Sequence, residues 1–320
     1  MPVSQVWSVC RTVGVRVNLC KSVSYKHIAL GLRHGKIPKK WKITRARNRA
    51  SVYLSIRDEP KDDFMTTEYE FMRIEKAGKI AHLTLNRPHR LNAVHQPAAF
   101  ELKAAAQALA DDPDIRLVAI RGEGRAFSTG IDLKDLAAGL IDMQYFRVWE
   151  EALRIFETMD ALVLCQVQGH AVGGGLQLAM ACDIRAATAD ANLSVPAINE
   201  GLLPGLGTFR LARYIGHGRA KRMVLSGDGI SGEEGLKVGL VDHLIPAESM
   251  VAAFDALIEK YMAVNSQGCR LSKLAVNDCF DLEFDTFLER YMDLQQQGYD
   301  SSDFKEAIDA YNAKRKPTWG

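Results

Sequence analysis

Between residues 69 and 245, short apolar runs alternate with longer segments of helical spacing. Residues 71–76 and 80–85 flank Gly78 and read as a β-hairpin with partial alternation, ended by Asn86-Arg87-Pro88. Residues 97–110 are rich in Ala and Leu at helical spacing, and Asp111-Asp112-Pro113 stops them. Leu117-Val118-Ala119-Ile120 is a buried-strand pattern. The spacing predicts an amphipathic helix over 143–159, a buried strand over 162–167, a helix after the glycines at 173–175 and a strand over 183–188. A short strand and a Pro/Gly-rich loop occupy 191–207. Helices follow at about 208–214, 217–226 and 231–238, then a last strand over 241–245. From Ala247 the pattern is helical, ending with 303–314. This order predicts an α/β core followed by a helical tail. A tail that long, with apolar residues on separate faces, suits packing on a partner subunit.

Two turns stand out. Gly173-Gly174-Gly175 runs straight into the helix-forming Leu176-Gln177-Leu178-Ala179-Met180. Glycine lets a ligand atom come close to the main chain. The first N–H groups of a helix lack internal partners and sit at the positive end of its dipole. A polarised carbonyl oxygen suits such a place; tight helix packing is the other use of the same glycines. The second turn, at Gly122-Glu123-Gly124, leads into Phe127-Ser128-Thr129-Gly130-Ile131-Asp132, where a helix starts with Asp132 as a natural N-cap.

The 320 residues suit one large globular domain with extensions, and no apolar run is long enough to span a bilayer. The six cysteines lack paired metal spacing, which argues for a reducing compartment and against a disulfide framework or zinc site. A formal net charge of +2 conceals an asymmetry. Residues 1–57 carry thirteen Lys/Arg and no Asp or Glu, leaving 28 basic against 39 acidic residues, a net −11, in the rest. The body is therefore acidic, which argues against nucleic-acid binding through it. Residues 1–64 read as a basic extension with three origins open: an upstream segment before a true start at Met65, an organelle transit peptide, or a basic arm for nucleic acid or membrane.

Asn86-Arg87-Pro88, Leu91-Asn92-Ala93, residues 126–133, Gly169-His170-Ala171-Val172-Gly173-Gly174-Gly175, Ala181-Cys182-Asp183, Gly201-Leu202-Leu203-Pro204-Gly205, Leu225-Ser226-Gly227 and Gly239-Leu240-Val241 follow in one order and spacing. Together, over about 69–320, they resemble the crotonase superfamily, the enoyl-CoA hydratase/isomerase family. The resemblance implies a ββα spiral core over 65–260 and a helical trimerisation or lid region over 261–320. It implies an acyl-CoA substrate, no cofactor beyond the coenzyme A of that substrate, no metal, and a homotrimer or hexamer. It further implies an oxyanion hole made by the N–H groups of Ile131 and Gly174, two preorganised donors at a developing enolate. Coenzyme A contacts would fall near Arg90, Ala126, Phe127, Ser128, Gly130 and Lys134. The protein would be cytoplasmic, or mitochondrial if residues 1–64 are a transit peptide.

The pattern breaks at the acids. Hydratases of the family carry two glutamates that hold and activate water, and at those positions this chain has Gln177 and Ala197. An amide is no general base near neutral pH, and Ala197 has no functional group. Gln177 remains able to orient water, an anion or a carbonyl. Glu200, three residues after Ala197, shares its face if the segment makes a helical turn. Tyr145, Glu150, Glu151 and Arg154 lie on the helix that shapes the acyl pocket in the family, with one of them expected to face inward. His170 reads as a packing residue. The resulting expectation is isomerase, decarboxylase, hydrolase or lyase chemistry without the two-glutamate pair. The alternatives are a hydratase with a shifted base at Glu200 and an acyl-CoA-binding protein without turnover.

Overall fold

A computed structural model describes residues 41–45, 52–56 and 64–319. The chain divides into two compact units, 1–62 and 63–320. In the first, β1 (Trp41–Arg45) pairs antiparallel with β2 (Val52–Ile56), Trp41 opposite Ile56. This strand pair was not anticipated in the basic extension; most of residues 1–64, with the three readings of their origin, lies outside the described residues.

The second unit is built on a seven-stranded sheet. Its strands are β3 (Phe64–Glu68), β4 (Met72–Ala77), β5 (Ile80–Leu85), β6 (Leu117–Gly122), β7 (Leu162–Val167), β9 (Ile184–Ala187) and β12 (His243–Leu244). They stand in the order β12-β9-β7-β6-β5-β4-β3. β3, β4 and β5 are antiparallel, and every pairing from β5 to β12 is parallel. The parallel strands are covered on both faces, which is why β6 and β7 read as nearly continuous apolar runs. Val118, Ile120, Val163 and Cys165 face one core, which includes α1 (Gln96–Ala110) and α3 (Met143–Thr158). Leu117, Ala119 and Leu164, at the alternate positions, face a second core closed by Phe254 and Ile258 of α8 (Met250–Met262).

A small second sheet positions the site. It orders β11 (Ile230–Ser231), β10 (Asn192–Ser194) and β8 (His170–Val172), with β8 and β10 parallel. Strands of two or three residues leave almost no periodicity, so β8 and β11 were not legible in the sequence. β8 feeds α4 (Gly174–Met180). Opposite it, α2 (Leu133–Ala137) begins at Asp132, whose carboxylate accepts the Lys134 N–H at 3.2 Å as the sequence expected of an N-cap. A 3-10 turn, Pro196–Glu200, leads to α5 (Gly207–Ile215), α6 (His217–Ser226) and α7 (Gly232–Val238).

The tail continues with α9 (Ser266–Asp278), α10 (Phe284–Tyr299) and α11 (Ser302–Asn312). α9 docks on its own chain. The Lys273 ammonium is buried and donates to the Phe156 carbonyl at 3.1 Å and the Ala161 carbonyl at 2.9 Å, and pairs with Asp183 at 2.9 Å. Burial raises the Asp183 carboxyl above its ordinary range, and the Lys273 charge opposes that shift. Asn277 adds a bond to the Glu157 carbonyl.

Candidate active site

Two glycine turns meet backbone to backbone. Val94 N–H donates to the Gly130 carbonyl at 2.7 Å, and Asp132 N–H returns to the Val94 carbonyl at 2.9 Å. Ser128 pairs with Ala171 in a parallel bridge, with Ser128 N–H to the His170 carbonyl and Val172 N–H to the Ser128 carbonyl. These bonds press residues 128–130 against the start of α4. Gly130 sits at φ 76°, and a Cβ there would stand 2.4 Å from the Val172 carbonyl oxygen and 2.7 Å from Gly174 N. Only glycine fits, for the conformation and for the approach. Gly173, at φ 54°, turns the chain into α4. The N–H groups of Ile131 and Gly174 donate to no protein acceptor among the described residues.

The neighbouring wall is made of side chains. Trp149 of α3 is buried, and its indole edge lies 3.3 Å from where a Gly174 Cβ would stand. Its Nε1 has no partner among the described residues. Tyr145 stacks on Trp149 with ring centroids 6.3 Å apart. Burial holds the Tyr145 hydroxyl far above the usual phenol range, so it stays protonated. One helical turn beyond Gly174, Gln177 is only 5% exposed, and its Oε1 also lacks a partner among the described residues. Glu150 reaches across from α3: its Oε1 accepts the Leu206 N–H at 2.8 Å, and its Oε2 pairs with Arg210 at 2.6 Å. Arg210 also binds Glu157 at 2.5 Å. Burial works against the Arg210 charge, but hydrogen bonding and the charges of Glu157 and Glu150 outweigh it and raise its pKa. Gly205 completes the wall. A Cβ there would stand 2.8 Å from Glu150 Oε1 and 3.1 Å from Gln177 Oε1.

The residues singled out in the sequence distribute unevenly. Ile131, Gly174 and Gln177 share one region, with the buried backbone of Gly130 between them. Ala197 is half-buried in the 3-10 turn, and Glu200 is exposed at its end. Among the four α3 candidates, Tyr145 and Glu150 turn toward the site. Glu151 pairs with Lys103, and Arg154 is exposed beside Glu157. Ala126, Phe127 and Ser128 are buried, and the N–H groups of Phe127 and Ser128 are taken by the Gln168 and His170 carbonyls. Two of their carbonyls are also engaged, Ala126 by the Asn92 side-chain amide at 2.8 Å and Ser128 by the Val172 N–H at 3.0 Å. Arg90 is half-buried in a short 3-10 turn, and Lys134 is exposed. His170, expected to pack, is exposed because its strand β8 turns that side chain outward.

Arg210 and the Arg87–Asp132 pair went unnoticed in the sequence. Arg87 lies 3.3 Å from the Asp132 carboxylate and donates to the Ala93 carbonyl. A faint signal existed for Arg210, which sits beside Leu211 on the buried face of α5. An ionic residue on such a face needs a partner of opposite charge.

The sequence model for enoyl-CoA hydratase/isomerase matches residues 75–320. A crotonyl-CoA hydratase of Syntrophomonas wolfei is 32% identical over 253 residues, covering 78% of this chain and 97% of that protein. A mitochondrial enoyl-CoA hydratase of Pongo abelii is 31% identical over 256 residues, covering 78% and 87%. Among solved structures, an enoyl-CoA hydratase from Geobacillus kaustophilus matches with a TM-score of 0.75 at 28% identity, covering 80% of this chain and 98% of that one.

Proposed function

The chain belongs to the enoyl-CoA hydratase/isomerase family, with its crotonase-type α/β fold, and we propose that it converts an acyl-CoA thioester through an enolate held by the N–H groups of Ile131 and Gly174. The observation that carries this reading is the contact of the Gly130 and Gly174 backbones, which leaves two main-chain donors at the turn without protein acceptors among the described residues. Donors fixed before the reaction lose nothing to reorganisation when charge develops on the thioester oxygen. Coenzyme A lies along the Arg90 and Lys134 side, against the turn at Gly130.

Gln177 and Ala197 stand where the family's two glutamates would be, so the two-carboxylate mechanism is not the one at work. Isomerisation, decarboxylation, thioester hydrolysis and C–C cleavage all need the same oxyanion hole without that pair. The names of the relatives favour a second reading, water addition served by a different carboxylate. Glu200 is one candidate, but it is exposed at the end of its turn, whereas the carboxylate of Glu150 lies against Gly205 beside Gln177. The protein acts as a homotrimer or hexamer, with Phe280, Phe284, Met292 and Tyr311 on the tail as exposed apolar contact positions. It is cytoplasmic, or mitochondrial if its basic extension is a transit peptide, and mass spectrometry of the native N-terminus separates the two.

A panel of acyl-CoA thioesters with mass-spectrometric product detection tests the function. Conversion of at least one thioester is expected. Micromolar binding without turnover of any member would make the chain an acyl-CoA-binding protein, and neither binding nor turnover would reject the reading altogether.

A further inference from the structure

Two acceptor oxygens face the same side of Gly205. Glu150 Oε1 and Gln177 Oε1 lie 2.8 and 3.1 Å from the point where a Gly205 side chain would begin, with Gln177 Nε2 at 3.3 Å. Gln177 Oε1 is buried and accepts from no protein donor among the described residues. A buried carbonyl left without a donor is unfavourable, and none of the described residues supplies one, so an external donor satisfies it. Glu150 Oε1 has spent one lone pair on the Leu206 N–H and keeps the other. A group that serves both oxygens must donate twice or bridge them. Water does so and keeps its own lone pair for attack.

We propose that Glu150 and Gln177 together hold the hydroxyl oxygen that enters or leaves the acyl chain, and that Glu150 is the carboxylate that carries its proton. The proposal rests on the oxyanion hole proposed above and names the chemistry beside it. In the direction of addition, Glu150 Oε1 takes a proton from the water as the water oxygen bonds to the β-carbon. The α,β π-electron pair moves to give an enolate, with its charge on the thioester oxygen at Ile131 and Gly174. The enolate then collapses and takes a proton at the α-carbon from the Glu150 carboxyl. One water is added, and the carboxylate is regenerated.

The surroundings suit this role. Gln177 lies three residues beyond Gly174 on the same helix, so its side chain and the oxyanion donor share a face. Arg210 does not neutralise Glu150 alone, because Glu157 shares the guanidinium and the triad keeps one net negative charge. The Leu206 N–H and the Arg210 fork fix the carboxylate's direction, which proton transfer at a set distance requires.

The test uses the full chain with crotonyl-CoA and its 3-hydroxybutyryl product as substrates. Glu150→Gln is expected to lower kcat at least 100-fold in both directions with KM within about threefold, since positioned acid–base groups contribute about 10²–10⁴. Gly205→Ala pushes a methyl toward both oxygens and is expected to lower kcat at least tenfold by displacing the water. Glu151→Gln, outside the site, is expected to match the wild type. Glu150→Gln within threefold of wild-type kcat overturns the proposal, as does a fall in kcat accompanied by an equal rise in KM and a lowered Tm, which marks a structural role. If Glu150→Gln does not fold, Gly205→Ala decides, and undiminished hydration overturns the proposal. A wild type that converts other thioesters but adds no water also overturns it while leaving the oxyanion hole standing. A wild type that neither binds nor converts any thioester removes the underlying function instead.

Discussion

The turns at Gly130 and Gly173 present main-chain N–H groups, whereas the wall one helical turn away, at Gln177, Glu150 and Arg210, presents side chains. The first region is held by a lattice of backbone bonds through Val94, Ser128, His170 and Val172. The second region is one substitution deep at every position. Gln177 bears an amide there, while the turns beside it hold glycines that their contacts demand. The difference separates the proposed holding of a thioester oxygen, which rests on the backbone, from the proposed outcome of the reaction, which rests on side chains.

The largest effect follows from attacking the backbone region. Gly130→Ala places a Cβ 2.4 Å from the Val172 carbonyl oxygen and forces an alanine to φ 76°. The expected loss is about 100- to 1,000-fold in kcat, the scale of losing one oxyanion donor. Gly174→Ala sharpens the point, because its Cβ meets the Trp149 side chain at 3.3 Å and the Gly130 Cα at an ordinary 3.5 Å, and the loss should stay near tenfold. Equal losses in the two variants, measured as kcat on any thioester the wild type converts, would contradict a site defined by the Gly130–Gly174 contact.

Next comes the side-chain wall. Arg210→Met leaves Glu150 and Glu157 without their shared cation in a largely buried position. The expected destabilisation is about 3 kcal/mol, at the lower end for breaking buried pairs because both carboxylates keep some solvent. Urea denaturation measures it, and a change below about 1 kcal/mol would mean the triad does not hold α3 to α5. Smaller still is Lys134→Ala. Lys134 is exposed, so a phosphate contact there is screened and worth about 0.2–1 kcal/mol. KM for an acyl-CoA should rise up to about fivefold with kcat unchanged, and an unchanged KM would remove Lys134 from the coenzyme A side. The smallest effect is expected from Glu200→Gln, which should stay within about twofold of the wild type in hydration. A tenfold fall would restore Glu200 as the shifted base.

Much of the fold was legible along the chain. The apolar run at 162–167 coincides with β7, and the helical spacing near 97–110 and 143–159 matches α1 and α3 to within a residue. The period of apolar positions survives in each element because each buries a defined face. The strands β8 and β11 of the small sheet were too short to show a period. The last strand shrank from the expected 241–245 to His243–Leu244, since only that stretch pairs with β9. Within the site, Gly130, Ile131, Gly174 and Gln177 were legible because glycine turns and their following residues are local features. Glu150 was legible only as one of four residues on an amphipathic helix.

By itself, the sequence determined the alternation of strands and helices, the two glycine turns, the Asp132 cap and the amide and methyl side chains at 177 and 197. Each of these depends on residues close together in the chain, where spacing alone fixes the chemistry. Tertiary structure decided which distant pieces meet. It set Gly130 against Gly174 and carried Glu150 to the Leu206 N–H, 56 residues away. It also bound Lys273 to the end of α3 and to Asp183, so that α9 of the tail rests on its own core. No periodicity encodes such contacts. They arise when packed elements bring main-chain groups and charges that must be satisfied to the same place.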